Sequence, residues 1–204
     1  MRRLDDKSRM SGDVHVRICE RLGVQFPRAT RLVICCHDRA EEALATMRVM
    51  MTKLRLAMNE TKTRVAKLPE ERFDFLGYTF GRCYSPKKGR VYLGTVPSHK
   101  RVTRTCKTIS EQTRRSTTQL DPTIVVKKLN QMMNGWANYF CLGPVSKAYR
   151  DVDQHARRRL RRWLCAKHKV AWPATKRFSE ASLHTRFGLA RLSERPRSFS
   201  WANS

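Results

Sequence analysis

A chain of 204 residues carries 43 Lys and Arg against 17 Asp and Glu, a formal net charge of +26. That length holds one hydrophobic core, or one core with an appendage. A charge so far from zero repels itself in a compact state and favours a polyanionic partner. The excess is uneven: residues 81–204 hold 27 Lys and Arg and 6 Asp and Glu, whereas residues 1–80 hold 16 and 11. The C-terminal part therefore faces the polyanion, with nucleic acid as first candidate and an anionic membrane surface as the blander rival. Seven cysteines at irregular spacing give no disulfide framework, which suits a reducing compartment such as the cytoplasm. No run of about 18 apolar residues suggests a transmembrane helix. The charged N-terminus lacks the apolar stretch of a secretory signal, and Asp5, Asp6 and Asp13 argue against an import peptide.

In chain order, residues 1–27 are weakly patterned, with Ile18, Leu22 and Val24 as one short helical stripe or nothing, and a poorly ordered segment is expected. Arg31–Cys36 is an apolar, β-forming run that reads as a buried strand. Ala43, Met47, Met50 and Leu54 recur at helical spacing, with Leu44 and Met51 widening the stripe, so a helix is predicted over 39–54. Asp38 is its candidate cap, with Glu41 completing a capping box. Thr63–Leu68 alternates like an edge strand. Phe73–Phe80 and Arg90–Val96 read as two arms of a hairpin turning at 85–89, with Gly77 as a bulge or close approach in the first arm.

Helical territory opens at Pro97-Ser98. Val102, Cys106, Ile109 and Thr113 form a thin apolar stripe, while Lys100, Arg104 and Lys107 share another face. Asp121-Pro122 starts a second helix as cap and first-turn proline, with the stripe Val125, Leu129, Met132, Trp136 and Tyr139. After Gly143-Pro144, a third helix sets Val145, Tyr149, Val152, Ala156, Leu160 and Trp163 against Lys147, Arg150, Arg157, Arg158 and Arg161. The chain beyond 168 is basic; a short helix near 179–187 is conceivable, and fraying is expected from Ser193.

Two motifs give this order a meaning. Phe73-Asp74-Phe75-Leu76-Gly77-Tyr78 and, further on, Gly135-Trp136-Ala137-Asn138-Tyr139-Phe140 flank a very basic helical stretch. The arrangement resembles the end of the palm and the maturase, or thumb, region of group II intron reverse transcriptases. Asn59-Glu60-Thr61-Lys62-Thr63 resembles the polar turn that follows the catalytic hairpin in that family. The resemblance covers roughly residues 29–165 and, more loosely, Leu183–Leu192. It sets Arg28-Ala29-Thr30-Arg31 where the family carries Tyr-Ala-Asp-Asp. Thr30 and Arg31 cannot replace two carboxylates that hold paired Mg²⁺ ions. The 27 residues upstream are also too few for the fingers and most of the palm.

The resemblance implies an α+β chain: a poorly ordered segment (1–27), a palm remnant (28–96), a maturase-specific thumb of about three helices (97–168) and a basic tail (169–204). It implies binding of structured RNA, group II intron RNA in particular, and assistance in its splicing, without polymerase activity. Mg²⁺ is expected only for the full-length family enzyme, so no cofactor, catalytic residue or metal site is assigned; Cys165 and His168 lack a second ligand pair. The candidate RNA contacts are Lys87, Lys88 and Arg90 at the hairpin tip, then Lys100, Arg104 and Lys107. Asn138 and Tyr139 follow as polar contacts, and then Lys147, Arg150, Arg157, Arg158, Arg161 and Arg162. A charge run is usually a solvated face, but no acid lies between Asp153 and Glu180 to offset this one. Trp136 and Phe140 read as packing residues. Three alternatives stay open: DNA as a further partner, a split reverse transcriptase completed by a separate chain, and a decayed reading frame without function.

Overall fold

The computed structural model describes residues 13–19, 31–37, 39–85 and 89–195, with residues 13–19 and residue 31 described by backbone alone. The chain divides into two compact units, Met1–Thr95 and Val96–Ser204. Strands fill the first and helices the second, an α+β chain as expected. No helix among the described residues is long and apolar enough to cross a membrane.

The first unit contains strands β1 (Asp13–Cys19) and β2 (Arg31–His37), helix α1 (Ala40–Lys53), and strands β3 (Arg64–Lys67), β4 (Phe73–Phe75), β5 (Tyr78–Ser85) and β6 (Arg90–Pro97). β1 lies between β2 and β3 and is antiparallel to both, with Val16 opposite Ile34 and Val65. This corrects the reading of a helical stripe or nothing before residue 27. Val14, Val16 and Ile18 alternate with His15, Arg17 and Cys19, the period of a strand. Leu22, Val24 and the candidate cap Asp38 lie outside the described residues. β2 is a strand as expected, but not a buried one. It is an edge, with Cys35 exposed, and the apolar run covers one face only. α1 buries Ala40 and Leu44, and Leu44 meets Ile34, Met47, Met58 and Val65. Met50 and Leu54, placed in its predicted stripe, are exposed.

Phe73–Phe80 is not one arm of a hairpin. The chain reverses at Leu76 and Gly77, whose φ angles of +49° and +87° are those of a tight two-residue turn. Phe75 then faces Tyr78 and Phe73 faces Phe80, with the last two rings stacked 5.2 Å apart. Gly77 thus supplies a turn rather than a bulge. Ala66, Leu68 and Phe73 form the core here, with Val33, Phe75, Phe80 and Leu93 packed against it. β5 crosses Gly81 where a Cβ would come within 2.5 Å of Arg72 Cγ, so the missing side chain lets Arg72 lie across the strand and donate to the Arg82 carbonyl. β6 completes the order β4-β5-β6.

The second unit holds α2 (His99–Gln112), α3 (Pro122–Tyr139), α4 (Ser146–Lys167) and α5 (Glu180–Thr185). Asp121 caps α3 by accepting the Thr123 N–H at 2.8 Å. The buried row of α3 is Val125, Leu129, Met133 and Ala137, joined by Val126. This steps by four throughout, so the seam keeps the expected Val125 and Leu129 and then runs one position on from the expected Met132 and Trp136. Met132 and Trp136 fall at its half-buried edge, and Tyr139 is exposed. α4 buries Tyr149, Val152, Ala156, Leu160, Trp163 and Leu164. The core does not stop with α4. Phe178, Leu183, Leu189 and Leu192 are all buried in the same cluster, where the sequence reading placed a basic tail.

Polar groups of α3 and α4 fasten that C-terminal segment. Buried Asp153 accepts the N–H groups of Leu192 at 3.0 Å and Ser193 at 2.9 Å, and the Ser193 hydroxyl at 2.8 Å. Asn130 donates to the Gly188 carbonyl and accepts from the Ala190 N–H, both at 2.8 Å. Ending the chain after residue 168 removes four buried apolar side chains, each comparable to a core truncation of about 2–5 kcal/mol. Together that is about 8–20 kcal/mol, as large as the roughly 5–15 kcal/mol that holds a domain together. Loss of cooperative thermal unfolding, followed by circular dichroism, is expected for the shortened chain; a melt as sharp as that of the intact chain would show that the unit closes without residues 169–204.

Between α2 and α4, His155 Nε2 lies 2.9 Å from Ser110 Oγ, whose own proton goes to the Cys106 carbonyl at 3.0 Å. With the serine proton on that carbonyl, the Nε2–H tautomer of the ring is the one that donates to Ser110 Oγ. Burial first, and then the positive charges of Arg159 and Arg158, hold the His155 pKa below its usual value, with the Cys106 carbonyl acting the other way. The folded chain resists protonating this ring more than the unfolded chain does. Its contribution is thus complete above about pH 6.5 and is lost as pH falls below that. The melting temperature should drop between about pH 7.5 and about pH 5.5, and His155→Gln should flatten that drop. An equal drop in both proteins would assign the acid sensitivity elsewhere.

Candidate nucleic-acid interface

α4 sorts its charges by helical position. Of its eight Lys and Arg, Lys147, Arg150, Arg158 and Arg162 are exposed and make no ion pair or hydrogen bond among the described residues. Arg150, Arg158 and Arg162 stand at multiples of four along one row, so they present charge in a single line. Asp151 is exposed on the same helix. The other cations are engaged. Arg157 pairs with Glu180, and Arg161 donates to the Phe178 carbonyl at 2.8 Å. Lys167 donates to the carbonyls of Thr118 and Leu120 at 3.0 and 2.8 Å. Arg157 and Arg161 therefore fasten the C-terminal segment at the flanks of the helix.

α2 supplies a second exposed row, Lys100, Arg104 and Lys107, again without partners among the described residues. A cavity of about 220 Å³ beside it is lined by Arg101, Arg104 and the ring of Trp136. The Trp136 indole N–H is buried without a hydrogen-bond partner, and its ring meets Phe140 at 5.1 Å and Tyr149 at 5.8 Å. Tyr149 Oη lies 3.0 Å from the carbonyls of both Ala137 and Phe140, fixing the end of α3. Asn138 is held by Arg195, while the Tyr139 ring is exposed edge-on to Phe140. In the first unit, Arg90 is exposed at the start of β6; Lys87 and Lys88 lie outside the described residues.

Four cations around one opening, only one of them named as a contact from the sequence, form a further site. A cavity of about 570 Å³ is lined by Arg115, Arg159, Arg162, Lys169, Trp163 and Trp172, among others, and by no carboxylate. Arg159 donates to the Ser110 and Thr113 carbonyls, each at 2.9 Å, and to Thr113 Oγ1 at 3.1 Å. Burial first, and then the charge of Arg162, lower the pKa of its guanidinium. Trp163 forms the floor, with its N–H on Thr117 Oγ1 at 3.0 Å. The rim comes from three separate places: a 3-10 turn at Arg115–Thr117, the end of α4, and the loop after it that carries Lys169 and Trp172. No local spacing links them, which is why only Arg162 was singled out.

The described faces thus offer N–H donors and positive charge to anionic oxygens, and aromatic edges to flat ligands. Residues 102–179 match the family described as the group II intron, maturase-specific domain. That span runs from the first turn of α2 to the N-cap of α5, and so takes in the α4 row, Arg104 and Lys107 of the α2 row, and the cavity of about 570 Å³. No match to the chain is found among curated proteins. Over these residues the chain is similar to the maturase, or thumb, region of group II intron proteins.

Proposed function

We propose that the chain binds structured group II intron RNA through its second unit and assists the splicing of that RNA. The supporting observation is the set of cations on α2 and α4 whose side chains have no partner among the described residues, all but Lys100 within the span that matches the maturase-specific domain. Phosphate binding answers the charge that no protein carboxylate answers, and the release of condensed counterions drives it. Folded RNA is recognised largely by its shape and its backbone, which suits rows of exposed Arg and Lys.

Changing Lys147, Arg150, Arg158 and Arg162 together to Gln removes the α4 row without touching the side chains that fasten the core. The slope of log K against log salt for a structured intron RNA should flatten by about 3, at up to about 0.9 per phosphate contact. Splicing of that RNA in its presence should fall in parallel. An unchanged slope would place the RNA elsewhere on the chain, and unchanged splicing with weakened binding would separate binding from splicing assistance.

The proposal extends to what the chain does not do alone. With Thr30 and Arg31 in the positions that resemble the catalytic aspartates, no pair of carboxylates is expected there to hold two Mg²⁺ ions about the reacting phosphate. Purified chain with a primed RNA template, Mg²⁺ and deoxynucleotides is expected to give no incorporation above a heat-killed control. Template-dependent extension would overturn this part of the reading.

A further inference from the structure

We propose that the cavity framed by Arg115, Arg159, Arg162, Lys169, Trp163 and Trp172 receives one unpaired nucleotide of a bound RNA, with its base on the Trp172 ring and its phosphate among the cations. The inference rests on the RNA-binding reading above and adds to it a defined subsite for a single unstacked base.

Four observations carry it. First, the volume of about 570 Å³ lies in the range of pockets that enclose small organic ligands, and a nucleotide is of that size. Second, the charge is uncompensated: the side chains of Arg115, Arg162 and Lys169 are exposed and have no ion-pair or hydrogen-bond partner among the described residues, and no carboxylate lines the opening. Third, one cation is held in advance. Three protein oxygens fix the Arg159 guanidinium through Nε and Nη2, and Nη1 makes no hydrogen bond among the described residues. A pre-oriented guanidinium loses little freedom on taking a phosphate. Fourth, Trp172 stands at the rim, 48% exposed. An exposed indole costs solubility on a protein that binds nothing there, whereas an unpaired base has a flat face that stacks on it.

The charge separates this opening from an apolar ligand site, and the aromatic rim separates it from a plain backbone-binding face. A helical duplex keeps its bases stacked inside and offers phosphates, 2′-hydroxyls and base edges, but along its length no free base face. A single strand can offer both a phosphate and a base face. The cavity therefore discriminates between the two forms of RNA, a property that the exposed rows of α2 and α4 do not share.

The test titrates the full chain with a fluorescein-labelled oligouridylate, whose bases are unstacked, and with a blunt-ended RNA duplex of equal length. Trp172→Ala should weaken binding of the single strand by about tenfold and leave the duplex unchanged. Trp172→Phe, which keeps a ring, should restore most of the loss. A second variant, Arg115→Gln with Lys169→Gln, alters only exposed side chains and should weaken the single strand more than the duplex. Equal losses on both RNAs, or no loss on either, would overturn the subsite while leaving the wider RNA-binding face standing. Failure of the unaltered chain to bind either RNA is a different result, and it would bring down the RNA-binding reading itself along with the subsite.

Discussion

The second unit depends on one helix that must be apolar on one side and cationic on nearly all the rest. α4 buries Tyr149, Val152, Ala156, Leu160, Trp163 and Leu164, and it carries eight Lys and Arg around that row. Burial of the row supplies the driving force for packing α2, α3 and the C-terminal segment around it. The same geometry forces the charges outward into three arcs. Those at the flanks reach neighbouring carbonyls or Glu180, and those on the outer arc reach only solvent. The division between fastening cations and free cations is thus a consequence of helical angle. It is not visible in a run such as Arg157-Arg158-Arg159-Leu160-Arg161-Arg162, where every arginine looks alike.

That division explains how far the sequence could be read. The α+β class, the capped start of α3, the apolar side of α4 and the maturase resemblance all follow from local signals: Asp121-Pro122, steps of three and four, and the Trp-Ala-Asn-Tyr-Phe run. Such signals need only a few neighbouring residues to be read. β1 was equally local, as Val14-His15-Val16-Arg17-Ile18 alternates cleanly, but Leu22 and Val24 suggested a longer helical spacing and hid it. The turn at Leu76-Gly77 was hidden for another reason: a Leu at positive φ is unexpected, so the strand pattern ran straight through it.

The closure of the second unit was not legible, and the reason is physical. Residues 178–192 contribute Phe178, Leu183, Leu189 and Leu192 to the core, yet they are spaced too irregularly for one helix or strand. What holds them are long-range pairings: Asp153 to residues 192 and 193, Asn130 to residues 188 and 190, and Arg161 to residue 178. An Asp such as Asp153 in a basic helix reads as a solvated charge, as Asp151 two positions earlier is. Only the fold shows that it is buried and that it satisfies backbone N–H groups which would otherwise be orphaned.

A second set of long-range pairings, between α4 and residues 110–120, frames the cavity of about 570 Å³. Arg159 turns inward because the last turn of α2 leaves the Ser110 and Thr113 carbonyls free to accept it, as expected where helical hydrogen bonding ends. Lys167 does the same for Thr118 and Leu120, and this draws the segment containing Arg115 close to the end of α4. The cations that settle the packing at this corner therefore also bring free cations and Trp172 around one opening. Structural and ligand-facing roles differ from residue to residue along one helix: Arg159 lines the opening while holding protein oxygens through Nε and Nη2, whereas the Arg162 side chain, three positions on, has no partner among the described residues. A substitution that removes Arg159 should consequently disturb both packing and binding, whereas one at Trp172 can report on the opening alone.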